Sequence, residues 1–153
     1  MAHSSHPSHP SHPPRIEDIE ALCQQRGVRF TPMRKTVYVF LLAQKSPITA
    51  YDALAKLQVQ LKKALAPPTV YRALDFLLEQ GLIHRLETNN SYLACDHPGH
   101  HHDSIYLVCS HCGDTQEIED ADISQLVQKR AQEQRFQATK QVLEVAGLCG
   151  RCQ

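Results

Sequence analysis

The chain has no tryptophan, and aromatic residues make up only 6% of it. Any core must therefore rest on Leu, Val, Ile and Ala. Long hydrophobic runs are also missing. The longest unbroken apolar stretch, Val37 to Ala43, covers seven residues, far short of the roughly 20 needed to cross a bilayer. Residues 1–14 are mostly His, Ser and Pro with no apolar segment, so they do not read as a secretory signal. Net charge is absent too, with 16 Lys and Arg against 16 Asp and Glu. What is present is ordinary for a globular protein. Hydrophobic residues are 42% and charged residues 21%, which excludes a wholly disordered chain. A length of 153 residues suits one compact domain or two small ones.

The zero net charge hides an asymmetry. Between Arg15 and Thr88 there are 11 basic and 7 acidic residues, a balance of +4. Between Asn89 and Gln153 there are 5 basic and 9 acidic, a balance of −4. A basic half joined to an acidic half divides the labour, and the basic half is the one suited to nucleic acid.

Helix signals crowd the basic half. Ile16, Ile19, Leu22 and Cys23 recur at helical spacing up to Gly27. Thr31-Pro32 pairs an N-cap with proline at the first helical position. Its helix buries Val37, Phe40 and Leu41 and is broken by Ser46-Pro47. Thr49 and Asp52 have capping-box spacing ahead of Leu54, Leu57 and Leu61. A fourth helix is predicted from Thr69 to Gln80, opened by Pro67-Pro68 and closed by Gly81. The period then changes to that of a strand. Residues 82–87 and 91–95 flank Thr88-Asn89-Asn90 and predict a two-stranded hairpin. Helices followed by a hairpin describe a winged helix-turn-helix over residues 15–95, in which the helix before the wing enters the major groove.

Residues 96–103 read as a hinge, and residues 104–153 as a small α/β unit of order ββαβ. Its predicted strands are Ile105–Val108 and Thr115–Ile118, its helix runs from about Asp122 to Gln134, and a β-rich stretch covers Phe136 to Val145. The fold class is thus α+β. The second unit is short of apolar residues and requires a metal, a partner subunit or both.

Six Cys and ten His are the loudest features. In a reduced compartment, the cytoplasm, paired Cys point to metal binding and not to disulfides. Cys109 and Cys112 form one C-x2-C pair, and Cys149 and Cys152 another. Each turn presents two thiolates to one cation, and two turns complete a closed, structural tetrahedral zinc site. Cys23 reads as core, and His111 as exposed. A second constellation mixes imidazole, thiolate and carboxylate: His84, Cys95, the hinge residues His100, His101, His102 and Asp103, and Glu117. Such donors suit zinc held between the two units; the alternative is a hydrophilic linker with incidental histidines. His3, His6, His9 and His12 recur every third residue in a low-complexity tail spanning residues 1–14, either a weak metal gatherer or simply solvated. For DNA, Arg29, Arg34, Lys35, Lys62, Lys63, Arg72 and Arg85 could meet phosphates. Tyr71 and Arg72, near the start of the fourth helix, could reach base edges, and Thr69 beside them is a further DNA-binding candidate. A zinc-dependent hydrolase built on His84, His102 and Glu117 is the rival from another class. No His-Glu-x-x-His and no serine nucleophile elbow supports it, and Cys95 would close its open metal position.

These residues resemble the ferric uptake regulator family, most of all its zinc-responsive branch. The likeness covers about Ile16 to Cys152 and rests on RFTPMR at 29–34, PPTVYRALDFLLEQG at 67–81, Asn90-Ser91-Tyr92 and the two Cys pairs. It implies a cytoplasmic, homodimeric repressor that binds near-palindromic operator DNA and controls metal-uptake genes, with no membrane partner and no catalysis. The C-terminal unit would dimerise. By position, Cys109, Cys112, Cys149 and Cys152 match the structural zinc site. His84, Cys95, His102 and Glu117 match the zinc-sensing site, giving two zinc ions per subunit. Tyr51 and Arg72 match DNA-contacting positions. Iron- and peroxide-responsive members share a His-x-His just before the first Cys pair. Ser104 and Tyr106 stand there instead, against that alternative. Three consecutive histidines leave the hinge ligand open among His100, His101 and His102.

Overall fold

In a computed structural model of the chain, residues 14–95, 97–98, 104–139 and 141–153 are described. The histidine tail to residue 13 and His100, His101, His102 and Asp103 of the hinge lie outside them.

Four helices form in the basic half: α1 (Ile16–Gln25), α2 (Pro32–Leu42), α3 (Ala50–Leu61) and α4 (Pro67–Glu79). The Thr31 side chain accepts from the Arg34 N–H, and the Thr49 side chain accepts from the Asp52 N–H, so each satisfies a donor that the first helical turn leaves open. Thr31→Ala should therefore cost about 1 kcal/mol of stability, measured by urea unfolding, while Thr31→Ser should cost little. Helix α4 starts two residues ahead of the expected Thr69, because Pro67 and Pro68 occupy positions whose N–H groups have no helical acceptor anyway. Gly81 ends it at φ +66°, with the Gly81 N–H on the Leu78 carbonyl (2.9 Å) and the Leu82 N–H on the Leu77 carbonyl (2.9 Å). That left-handed turn needs glycine and aims the chain into the wing.

The wing has three strands, not the two that the hairpin pattern predicted. Strand β1 (Ile48–Thr49) pairs antiparallel with β3 (Ser91–Ala94), which pairs with β2 (Ile83–Leu86). Two residues are too few to show a period of two, so β1 left no mark in the pattern. Val37, Tyr38, Phe40 and Leu41 of α2 and Val70, Leu74, Phe76 and Leu77 of α4 close one core with Leu54, Leu57, Leu82 and Ile83.

The second unit comprises β4 (Ser104–Cys109), β5 (Thr115–Ile118), α5 (Ala121–Glu133) and β6 (Val142–Gly147). Strand β6 begins later than the β-rich stretch suggested, since Phe136 is exposed and outside it. The sheet order is β5-β4-β6, with β4 antiparallel to β5 and parallel to β6. The ββαβ order and the α+β class are as expected. Its buried apolar side chains are few, Ile105, Tyr106, Val108 and Cys109 among the described residues. The only buried residue of α5 is Ser124. Leu107, Leu126, Val145 and Leu148 stay exposed. A small second core, Leu86, Tyr106 and Val108 with Leu93 against it, joins the wing to this sheet.

Candidate metal and nucleic-acid sites

Strands β4 and β6 run side by side and deliver both Cys pairs to one end of the sheet. Cys109 is the last residue of β4, and Gly147 opposite it is the last of β6. The ligand atoms of Cys109, Cys112, Cys149 and Cys152 all lie within 4.8 Å of one another. The Cys112 and Cys149 sulfurs are 3.7 Å apart. A tetrahedron with metal–sulfur bonds of about 2.3 Å has edges of about 3.8 Å, so the spacing fits one thiolate-bound dication and is far too long for a disulfide. The turns are pinned by the Cys149 N–H donating to the Cys109 sulfur (3.4 Å) and the Ser110 N–H donating to the Gly147 carbonyl (2.8 Å). An Arg151–Asp114 ion pair (2.8 Å) ties one turn to the other. The N–H groups of Cys112 and Cys149 bring the Cys109 thiol down to about 6. Hydrogen bonds with the sulfurs of Cys149 and Cys112 push Cys152 up to about 12. A dication bound among the four sulfurs would take the place of the protons the thiols lose as they ionise. Among the described residues no other group of three or more His, Cys, Asp and Glu side chains converges in this way.

The mixed set sits where the two units meet. His84, on β2, and Cys95, just past β3, are both buried, and the Cys95 N–H donates to the Leu82 carbonyl (3.0 Å). Glu117 lies on β5, directly opposite Tyr106 of β4. Tyr106 is the residue that sequence reasoning missed. Its hydroxyl donates to Glu117 (3.3 Å), and its ring stands 5.7 Å from that of His84. Burial, reinforced by nearby Glu117 and Cys95, keeps its phenol protonated. Three of the four proposed sensor residues therefore gather around one tyrosine. The fourth, His102, is outside the described residues. An uncharged buried Tyr in the middle of mixed ligands carries no spacing signal.

A contact between the units appears on the same sheet. Glu144 of β6, opposite Tyr106 on its other side, accepts from the Glu87 N–H (2.7 Å), the Thr88 N–H (3.0 Å) and the Thr88 hydroxyl (2.7 Å) at the wing turn. Burial works to raise the Glu144 pKa, but these three donors outweigh it and hold the carboxyl below its usual range. A depressed carboxyl contributes stability above its unfolded pKa and loses it as pH falls through the folded value. The contact is therefore intact at neutral pH and released only in acid.

On the basic unit, Thr69, Tyr71 and Arg72 all lie on the exposed side of α4, and Tyr51 near the start of α3 is 74% exposed. The phosphate candidates separate into two groups. Arg34 stacks over the Phe76 ring (3.7 Å to its centroid) and donates to the Arg29 carbonyl. Lys35 pairs with Glu20 (2.6 Å) and Arg85 with Glu87 (3.6 Å). These three side chains are engaged within the chain. Arg29, Lys62, Lys63 and Arg72 form no ion pair among the described residues.

A winged helix, a small α/β unit and a four-cysteine knuckle together define a winged-helix protein with a site fitted to a tetrahedral metal. The sequence model described as the ferric uptake regulator family matches residues 25–146. The chain belongs to that family. It is 40% identical over 136 residues to the zinc uptake regulation protein of Escherichia coli K12, covering 87% of this chain and 78% of that protein. It superposes with a TM-score of 0.75 on a zinc uptake regulator complexed with zinc and DNA, at 39% identity, over 89% of this chain and 91% of that one. The XcZur protein is known in two states. Holo XcZur matches with a TM-score of 0.72 at 39% identity, covering 89% of this chain and 94% of that one. Apo XcZur matches with 0.52 at 40% identity, covering 90% and 94%. At nearly equal identity and coverage, the likeness is greater to the holo structure than to the apo one.

Proposed function

We propose that the chain is a zinc-responsive transcriptional repressor that binds a near-palindromic operator as a homodimer and controls zinc-uptake genes. The observation that carries this reading is the likeness over nearly the whole folded chain to a regulator complexed with zinc and DNA. It is a regulator and not an enzyme, as its curated relatives are regulators. Residues 15–95 form the DNA-binding domain, 96–103 the hinge and 104–153 the dimerisation domain. The exposed Leu107, Leu126, Val145 and Leu148 supply an apolar face for a second copy. No helix among the described residues is long and apolar enough to cross a membrane. Reduced thiols in the cluster suit the cytoplasm.

Each subunit binds two zinc ions. Cys109, Cys112, Cys149 and Cys152 hold the structural one, and His84, Cys95, His102 and Glu117 the sensing one. Bound zinc supplies a bond between groups of the wing and groups of the C-terminal domain. His84 and Cys95 come from the wing side, Glu117 from β5 and His102 from the hinge. They converge only when the domains adopt one relative orientation, so binding there shifts the population toward it. DNA and sensor zinc must then strengthen each other. Tyr106 positions this set by donating to Glu117 and packing against His84. Thr69, Tyr71 and Arg72 face the major groove, and Tyr51 contacts the operator from α3.

The test is retention of genomic promoter fragments as buffered free zinc is raised. Zinc-dependent capture of a few sites supports the reading, and capture indifferent to zinc or to sequence overturns it. Arg72→Ala should weaken operator binding by roughly 1–3 kcal/mol while leaving random duplex less affected. Equal losses on both would make Arg72 a phosphate contact.

A further inference from the structure

We propose that Glu144 is a metal-independent clasp that positions the DNA-binding domain and thereby sets how much free zinc the protein needs. The proposal rests on the zinc-responsive reading above.

One carboxylate on β6 receives three donors from the wing turn, two backbone N–H groups and the Thr88 hydroxyl, at 2.7 to 3.0 Å. Residues 144 and 88 belong to different units and are 56 positions apart in the chain. Three convergent bonds to an ionised acceptor are directional, so they hold the turn in place and do not merely attract it. Backbone N–H groups are available in any sequence, but only a closed arrangement brings them to Glu144.

Position along β2 gives the clasp its mechanical meaning. His84 stands near one end of that strand, and Glu87 and Thr88 lie just beyond the other, roughly 10 Å away at the rise of an extended chain. Fixing a strand at one point leaves it free to pivot. Fixing it at two points sets its direction, and with it the direction of α4. Tyr106 lies between the two fixings in the sheet, with Glu117 opposite it on β5 and Glu144 opposite it on β6. The small Leu86, Tyr106 and Val108 core fills the space between them. The donors and the acceptor of the clasp are all protein groups, so it raises the fraction of subunits already in the binding-competent orientation before zinc binds. Apparent zinc affinity scales with that fraction.

The experiment uses the full chain with its structural cluster loaded. Operator binding is followed by fluorescence anisotropy at buffered free zinc, and amide exchange at Glu87 and Thr88 by NMR without DNA. Glu144→Ala should move the zinc midpoint roughly tenfold higher, and Thr88→Val roughly threefold, as befits loss of three charge-assisted bonds and of one. Thr88→Ser, which keeps the hydroxyl, should leave the midpoint where it was. The double variant should move it no further than Glu144→Ala alone, since both act through one contact. Affinity at saturating zinc should change little, and exchange at the two amides should quicken in Glu144→Ala. An unchanged midpoint in Glu144→Ala overturns the proposal. So does a shift without faster exchange at both amides, or a double variant whose shift is the product of the two single ones. If the unaltered protein shows no zinc-dependent operator binding, the functional reading fails instead. The exchange measurement then still decides whether the clasp exists.

Discussion

Cys112→Ser is expected to leave the C-terminal unit unfolded and the protein unable to dimerise. The argument starts from how little else holds that unit together. Among the described residues only Ile105, Tyr106, Val108 and Cys109 are buried apolar side chains there, and α5 buries nothing but Ser124. Burial of a few such side chains contributes about 1.5–3 kcal/mol each, against an ordering entropy of about 1–2 kcal/mol for every residue of backbone. A structural zinc ion on four thiolates is worth roughly 10–16 kcal/mol in small zinc domains, which exceeds the whole stability of many proteins. Serine keeps the size of Cys112 but offers a neutral hydroxyl near pH 7. It leaves three thiols, one short of a closed tetrahedral set. Amide dispersion in NMR, zinc content and sedimentation together read the outcome. A dispersed spectrum, a dimer and no structural zinc in the same sample would refute it.

Cys95→Ser is expected to give the opposite pattern, a folded dimer deaf to zinc. Cys95 is buried at the exit of the wing, in a different part of the chain from the four-cysteine knuckle. Those four sulfurs already lie within 4.8 Å of one another without it. The substitution should therefore spare the thermal transition of the C-terminal unit. Zinc content should fall from about two ions per subunit to about one, as His84, His102 and Glu117 alone hold a divalent ion weakly. Operator affinity should fall to the salt-sensitive level of any basic surface. Zinc-dependent operator binding with an unchanged midpoint would remove Cys95 from the sensing set.

The two sites differ in how plainly the sequence wrote them. The knuckle was legible because paired Cys at a spacing of two have few other uses in a reduced protein, and the parallel pairing of β4 and β6 brings both pairs to one end of the sheet. Helices α2 to α4 were legible through Thr31, Thr49, Pro67 and Gly81, each with one local geometric purpose. Strand β1 was not, since two residues carry no period. Tyr106 and Glu144 were not, because a tyrosine in an apolar strand reads as core and a glutamate on an edge strand reads as solvated. Glu117, 11 positions from Tyr106, meets it only through the pairing of β4 with β5, and the donors to Glu144, 56 and 57 positions away, depend on how the two sheets meet. Arg34, Lys35 and Arg85 looked like any other surface cations until Phe76, Glu20 and Glu87 were found against them.

The side-by-side run of β4 and β6 also governs how quickly the protein can assemble. Parallel neighbours cannot be joined by a tight turn, and here the chain passes through β5 and α5 before it returns. Forming that pairing requires the chain to close a long loop before any contact compensates for the lost freedom, which slows folding relative to the locally wired helices. Bridging the two cysteine pairs closes the same loop. In a metal-starved solution the helical unit should thus be complete while the sheet waits, and the rate of the slow phase should rise with the supply of zinc.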